Sequence, residues 1–339
     1  MLTPSINICI PTFERSSCLK VLIQSIIDSA APEFNNNIKI FISDNNSQDG
    51  TEELVKKIIS NTNISITYYK QKKNIGPLYN LIKSLDMAKA SEGYYWLMGD
   101  DDKLTNNAIK EIINELGNHK QNILLLNRYI CDNNLKIIKS DNYFYVDSNI
   151  VYNINDQFSY LNYLQSIKTL DGLMCFISSI IIDTSILKWI LIKAEKDTFY
   201  GNCLFPHTYF LHKYILTEGA IVKYLIQPLV LWRGENSSKQ INSDVKKSLI
   251  NYEELVIAFI KISEDSYILN AFIRSLARTY TLRKHIGSSI DASKEEKRYI
   301  QYIINIIKLS LLKKIFFKIC ELMIPILRVP FINNKIRKK

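Results

Sequence analysis

Apolar and polar positions along the first hundred residues switch between two periods. Ile6-Asn7-Ile8-Cys9-Ile10 is a β-branched run closed by Pro11. After it Leu19, Leu22, Ile23, Ile26 and Ile27 recur at the 3.6-residue spacing of a helix that Ser16 or Ser17 can cap. The unit recurs. Ile38 to Ile42 predicts a second strand, ended by Ser43-Asp44-Asn45-Asn46-Ser47-Gln48-Asp49-Gly50, and Thr51 opens a helix through Leu54, Val55, Ile58 and Ile59. Ile64 to Tyr69 predicts a third strand, followed by Asn74-Ile75-Gly76-Pro77 and a helix over Leu78, Leu81, Ile82 and Leu85. Tyr94 to Met98 predicts a fourth, running into Gly99-Asp100-Asp101-Asp102. Strands alternating with helices imply an α/β fold whose mostly parallel sheet is covered on both faces. In such sheets ligands bind outside the carboxyl ends of the strands, where all of this polar punctuation falls.

From 106 to 235 helix-like segments (Ala108 to Leu116) mix with strand-like ones (Ile123 to Leu126, Phe176 to Ile182, Ile221 to Tyr224), which extends the sheet and walls the cleft. From about 240 onward the pattern is helical. The expected organisation is a first part over 1–105, a second over 106–239 and a basic helical region over 240–339. A chain of 339 residues, 47% hydrophobic, with only 10 Gly and 8 Pro, folds around a sizeable core. The net charge of +10 is not spread evenly: residues 1–239 balance 24 basic against 24 acidic side chains, and 240–339 carry 19 against 9. The basic region is therefore where an anionic partner would be met. Cys9, Cys18, Cys131, Cys175, Cys203 and Cys320 are scattered without a C-x-x-C pair, which points to reduced thiols and away from zinc. The longest uncharged apolar stretch, Gly172 to Ile182, is too short to span a bilayer. The expected location is cytoplasmic, with peripheral attachment to a membrane.

Three consecutive aspartates after a buried strand repel one another and raise one another's pKa. A hard divalent cation, Mn²⁺ or Mg²⁺, relieves that cost and bridges to substrate phosphates. The plainer alternative is an acidic turn capping the helix at Ala108. Four motifs at comparable spacing, Ile10-Pro11-Thr12-Phe13-Glu14-Arg15, Ser43 to Thr51, Asn74-Ile75-Gly76 with Asn80, and Trp96-Leu97-Met98-Gly99-Asp100-Asp101-Asp102, resemble the family 2 glycosyltransferases of GT-A fold. Within them the chain is most similar to bacterial enzymes that build lipopolysaccharide, O-antigen or capsule.

The resemblance implies a site, residue by residue. Pro11, Thr12, Phe13 and Glu14 would hold the nucleotide base, with Phe13 stacking on it. Asp44 would contact the base, and Asn45 stands where the family usually has a second Asp. Asn74 and Asn80 belong to the same donor site. Asp100 would face the ribose or donor sugar, and Asp101 or Asp102 the metal. Arg233 would pair with phosphate oxygens. The donor would be a nucleotide-sugar, with UDP favoured, and the acceptor a glycan or lipid-linked glycan attacked with inversion. Where the family places an acidic pair this chain reads Leu204-Phe205-Pro206-His207-Thr208-Tyr209. His207 is the candidate base, on an ordinary pKa near ~6.5, with Asp171 and Asp197 as alternatives. From Leu309 an apolar helical face with Lys313, Lys314 and Lys318 opposite it suits peripheral contact with a membrane rather than nucleic acid. A nucleotidyltransferase is a rival, although Pro11 to Ser17 has no Gly for a phosphate loop. A non-catalytic membrane scaffold that kept the fold is another.

Overall fold

The computed structural model describes residues 3–118, 120–197 and 205–234, and beyond them 255, 258, 259, 261–263 and 265–278. His119, His285, the loop from Glu235 and the apolar and basic tail from Leu309 lie outside the described residues.

The expected alternation forms β1 (Ile6–Thr12), α1 (Ser16–Ser29), β2 (Ile38–Asp44), α2 (Thr51–Ile59), β3 (Ser65–Lys70), α3 (Pro77–Ala88), β4 (Tyr94–Leu97), β5 (Lys103–Leu104) and α4 (Ala108–Asn118). The second half adds β6 (Ile123–Cys131), β7 (Ile137–Ser140), β8 (Ile150–Ile154), α5 (Gln157–Ser166), β9 (Ile180–Asp183), α6 (Thr184–Ala194), α7 (Pro206–Glu218), β10 (Ala220–Arg233) and α8 (Ser266–Arg278). They build one sheet in the order β3-β2-β1-β4-β9-β6-β10-β5, with β7 beside β6 and β8 beside β10. The pairs β3-β2, β2-β1, β1-β4 and β6-β10 are parallel. β9 enters antiparallel between β4 and β6. The sheet is mixed, and its parallel part carries the site.

Both faces are covered, so the central strands are apolar at successive positions rather than alternating. On one face Ile6, Ile8, Ile10, Ile40 and Ile42 pack with Leu19, Leu22, Ile23 and Ile26 of α1, Val55 of α2 and Ile109, Ile112 and Ile113 of α4. On the other Cys9, Phe41, Tyr95 and Leu97 meet Leu81 and Leu85 of α3, Leu187 of α6 and Phe210 and Leu211 of α7. Leu255, Ala258, Phe259, Leu269 and Phe272 join that second layer, with Phe259 stacked on Phe272 and 4.8 Å from the His212 ring. These residues are thus part of the same packed body.

β10 is longer than the strand expected over Ile221 to Tyr224. It continues for 14 residues because Pro228, which cannot donate to a ladder, is absorbed in a register shift opposite Asn127 of β6. The strand resumes and delivers Trp232 and Arg233 beside the aspartates. The segment expected as a strand from Phe176 instead makes a 3₁₀ turn over Ile177–Ser179 before β9 begins.

Candidate active site

Four strand exits converge. The loops after β1 and β2 are knitted together: the Glu14 N–H donates to Ser47 Oγ (2.9 Å), and the Gln48 N–H to Glu14 Oε1 (2.8 Å). Glu14 holds φ +53° to make this turn. Asn80 of α3, 2% exposed, locks the strand ends beneath, donating to the carbonyls of Ser43 (2.8 Å) and Thr12 (3.3 Å) and accepting from Ser43 Oγ (2.8 Å). Gly76 at φ +86° turns the chain into α3. Above this platform opens a cavity of ≈ 660 Å³, lined by Pro11, Thr12, Phe13, Arg15, Asn45, Asn74, Pro77, Leu78, Asn80, Leu81, Gly99 to Asp102, Phe176, Ile177, Pro206, His207 and Trp232.

The aspartates sit at its floor, each held differently. Asp100 accepts from Thr12 Oγ1 (2.7 Å) and Arg15 Nη1 (3.0 Å), and the same Nη1 donates to Asp101 Oδ2 (3.0 Å). Asp102, 1% exposed, accepts from Ser178 Oγ (2.5 Å) and from the Arg233 N–H (3.2 Å). Ser178 is itself fixed, accepting the Gly99 N–H at its Oγ (2.9 Å) and the Trp96 indole N–H at its carbonyl (2.9 Å). Arg15 therefore supplies part of the positive charge that the sequence pattern alone assigns wholly to a metal. It does not supply enough. Burial and the neighbouring Asp101 push Asp100 up to about 6 despite Arg15, burial raises Asp101, and burial with Asp101 carries Asp102 well above the carboxylate range.

Gly99 leaves the aspartate loop uncrowded. A Cβ there would lie 3.2 Å from Ser178 Oγ and 3.3 Å from both Asp101 Oδ1 and Asp102 Oδ2. A side chain there would press on the aspartate loop, and the Asp101 and Asp102 carboxylates are the hard oxygen donors that Mg²⁺ or Mn²⁺ prefers. Among the described residues no three His, Cys, Asp or Glu side chains gather into a metal site of their own. Two carboxylates alone suit an ion that shares its remaining positions with phosphate and water.

The cavity brings together Pro11, Thr12, Phe13, Asn45, Asn74, Asn80, Asp100, Asp101, Asp102 and His207, and leaves out Glu14, Asp44, Asp171, Asp197 and Arg233. Phe13 lines the cavity and is 42% exposed. Asp44 is fully buried and spent on its own fold, accepting from the Ser47 N–H (2.8 Å) and the Tyr68 hydroxyl (2.5 Å). Asn45 bridges instead, donating to Asn74 Oδ1 (3.0 Å) and accepting the Ile75 N–H (2.8 Å). Arg233 donates to the backbone carbonyls of Asp101 (2.9 Å) and Asn133, so it braces the aspartate loop.

The three base candidates lie in different surroundings. His207 reaches the cavity wall, but its Nε2 donates to the Cys175 carbonyl (3.2 Å), and Nδ1 is buried without a partner among the described residues. Burial lowers its pKa to about 4, so the ring is neutral and its lone pair lies on the buried Nδ1. Asp171 is ion-paired to Arg128 (2.6 Å) behind the wall. Asp197 accepts from Tyr209 Oη (2.6 Å) and Lys213 Nζ (3.0 Å). Sequence reasoning gave no role to Arg15, Ser178, Phe176, Trp232 or Arg128. The last had a signal, a lone Arg in the apolar run Ile123 to Cys131. Its guanidinium sits 4.9 Å from the Trp232 ring and 5.5 Å from that of Phe176, behind the two aromatics that face the cavity.

The pattern of glycosyl transferase family 2 matches residues 7–178, all four loops included. The chain belongs to glycosyl transferase family 2. Among relatives in this family, abequosyltransferase RfbV of Salmonella typhimurium is 28% identical over 280 residues, 82% of this chain and 80% of that one. A Campylobacter jejuni GalNAc(5)-diNAcBac-PP-undecaprenol beta-1,3-glucosyltransferase is 27% identical over 110 residues, 32% of this chain and 34% of that one. Staphylococcus aureus TarS in complex with UDP-GlcNAc superposes at a TM-score of 0.57 and 14% identity, covering 90% of this chain and 81% of that one. Mannosyltransferase PcManGT from Pyrobaculum calidifontis, in complex with GDP-Man and Mn²⁺, does so at 0.54 and 12%, covering 92% and 88%. The fold is that of the GT-A glycosyltransferases, and this family 2 member is a transferase that works on nucleotide-sugars.

Proposed function

We propose that this transferase moves a sugar from a nucleoside-diphosphate donor, with inversion and with a divalent cation, onto a hydroxyl of a growing O-antigen-type or other surface glycan. The observation that carries the reading is the convergence of the Asp100 to Asp102 loop on the exits of β1, β2 and β3 in one cavity. The similarity to an abequosyltransferase favours a surface-glycan acceptor and a hexose-type donor.

Phe13 stacks on the base, and the Asn45–Asn74 pair meets its edge with amides where a carboxylate was expected. Asp101 and Asp102 would hold Mn²⁺ or Mg²⁺, which when bound neutralises charge on the departing diphosphate. Thr12 and Arg15 fix the Asp100 carboxylate, and the Phe176 and Trp232 rings offer apolar faces to the sugar and exclude water on that side. The region 240–339, which carries the net charge, would bring the enzyme to an anionic membrane surface, each basic residue near it contributing on the order of 1 kcal/mol.

Asp101→Asn and Asp102→Asn variants test the reading. With whichever UDP-, GDP-, CDP- or dTDP-sugar thermally stabilises the wild-type chain in the presence of Mn²⁺, each variant should lose at least about 100-fold in metal-dependent turnover, the cost of removing a preorganised charge-stabilising group. Their melting temperatures without ligand should stay at or above the wild-type value, because the amide removes a repulsive buried charge. Turnover that survives both substitutions rejects the metal role.

A further inference from the structure

We infer that Arg15 is an exchangeable internal counter-ion: it holds Asp100 and Asp101 until a divalent ion arrives, then moves to the diphosphate that accompanies the ion. The inference rests on the metal and donor reading above and deepens it. One guanidinium nitrogen, Nη1, lies 3.0 Å from Asp100 Oδ1 and 3.0 Å from Asp101 Oδ2. The two acids are fixed parts of the floor, 7% and 16% exposed at the side chain, whereas Arg15 is 37% exposed and lines the cavity. The cation can retreat and the acids cannot.

A doubly charged ion at Asp101 and a guanidinium on the same carboxylate repel each other, so the two cations compete. An ion arriving alone must evict Arg15 with no phosphate to receive it. An ion arriving with a diphosphate supplies phosphate oxygens, which a guanidinium binds through parallel N–H donors. Ion and diphosphate therefore bind with positive coupling, and Arg15 adds to the coupling that the ion's own contact with phosphate provides.

The test titrates the full chain with Mn²⁺, without nucleotide, by electron paramagnetic resonance of the free ion. Arg15→Met should bind Mn²⁺ alone about ten-fold tighter than wild type, within the usual span of coupling effects, and Arg15→Lys should restore weak binding. Adding the nucleoside diphosphate that binds wild type, chosen from UDP, GDP, CDP and dTDP, should tighten Mn²⁺ by a larger factor in wild type than in Arg15→Met, which keeps only the coupling that the ion's own contact with phosphate provides. Far-UV circular dichroism shows whether Arg15→Met is folded. If it is not, Arg15→Lys, which keeps the charge, decides the question: Lys binding Mn²⁺ tightly overturns the inference. So does a folded Arg15→Met that binds Mn²⁺ no tighter than wild type. If no protein binds Mn²⁺ with or without nucleotide, the metal reading falls and takes this inference with it, whereas wild type and variant binding equally well removes the inference alone.

Discussion

At the scale of single residues, the absence of a side chain at Gly99 is as consequential as the presence of the aspartates. A methyl group there would press on Ser178 Oγ and on one oxygen each of Asp101 and Asp102 at 3.2–3.3 Å, closer than ordinary van der Waals contact. Gly99→Ala should therefore weaken Mn²⁺ binding in the presence of nucleotide by about ten-fold or more while the chain still folds, since its surroundings are polar side chains at a cavity edge and not a packed core. Isothermal titration checks this, and unchanged affinity would remove Gly99 from the site. The aspartates themselves were legible because three carboxylates after an apolar strand demand a physical explanation. Asp44 was not. A carboxylate at a strand end looks the same in sequence whether it faces the cleft or the next strand, and only the pairing of β2 with β3 puts the Tyr68 hydroxyl within its reach. The setting of His207 was hidden for a related reason. Its chemistry depends on burial and on the Cys175 carbonyl, which lies 32 residues away along the chain.

At the scale of elements, the first half was readable because each strand and helix there follows its own hydrophobic period, and the boundaries agree to within a residue or two. The second half depends on long-range pairing. β10 runs through Pro228 only because β6 accommodates the shift, and Trp232 and Arg233 reach the site by that route. α7 is buried on nearly every side, with Phe210, Leu211 and His212 all at 0% exposure, so it lacks the one-sided stripe by which a surface helix is recognised. Burial there constrains His212. Its Nε2 donates to the Leu173 carbonyl (3.1 Å), its Nδ1 accepts from the Tyr160 hydroxyl (2.7 Å), and burial lowers its pKa to about 4. A ring that titrates near 6.5 when unfolded and near 4 when folded contributes fully above pH 6.5, and that contribution is lost as the pH falls toward 4. Urea unfolding at pH 7.5 and pH 4.5 should show His212→Gln less stable than wild type at the higher pH and losing less stability between the two, by roughly 2–3 kcal/mol. Parallel losses in both proteins would mean that the ring is not kept neutral by the fold.

At the scale of the whole molecule, composition suggests a division near residue 240, where the neutral body gives way to the basic region. Packing places no division there. Leu255, Ala258, Phe259 and Phe272 are buried against the same layer as α7, and Ser275 Oγ donates to the Leu164 carbonyl of α5. Two fully buried phenylalanines are together worth about 3–6 kcal/mol, a large share of a typical domain's stability. A chain ending at 239 should therefore melt at least about 10 °C lower than the full chain, or precipitate on expression, and differential scanning calorimetry reads the difference. An undisturbed melting temperature would show that the later residues are dispensable to the fold. Among the described residues no helix is long and apolar enough to cross a membrane. Under the proposed membrane role, attachment would fall to the basic region lying at an interface. The outward pull of that region and the inward burial of Phe259 and Phe272 would then act on one continuous stretch of chain. Force or lipid engagement at the carboxyl end would be transmitted to the helix that carries His207, and a surface-bound enzyme would feel its membrane through the wall of its own substrate chamber.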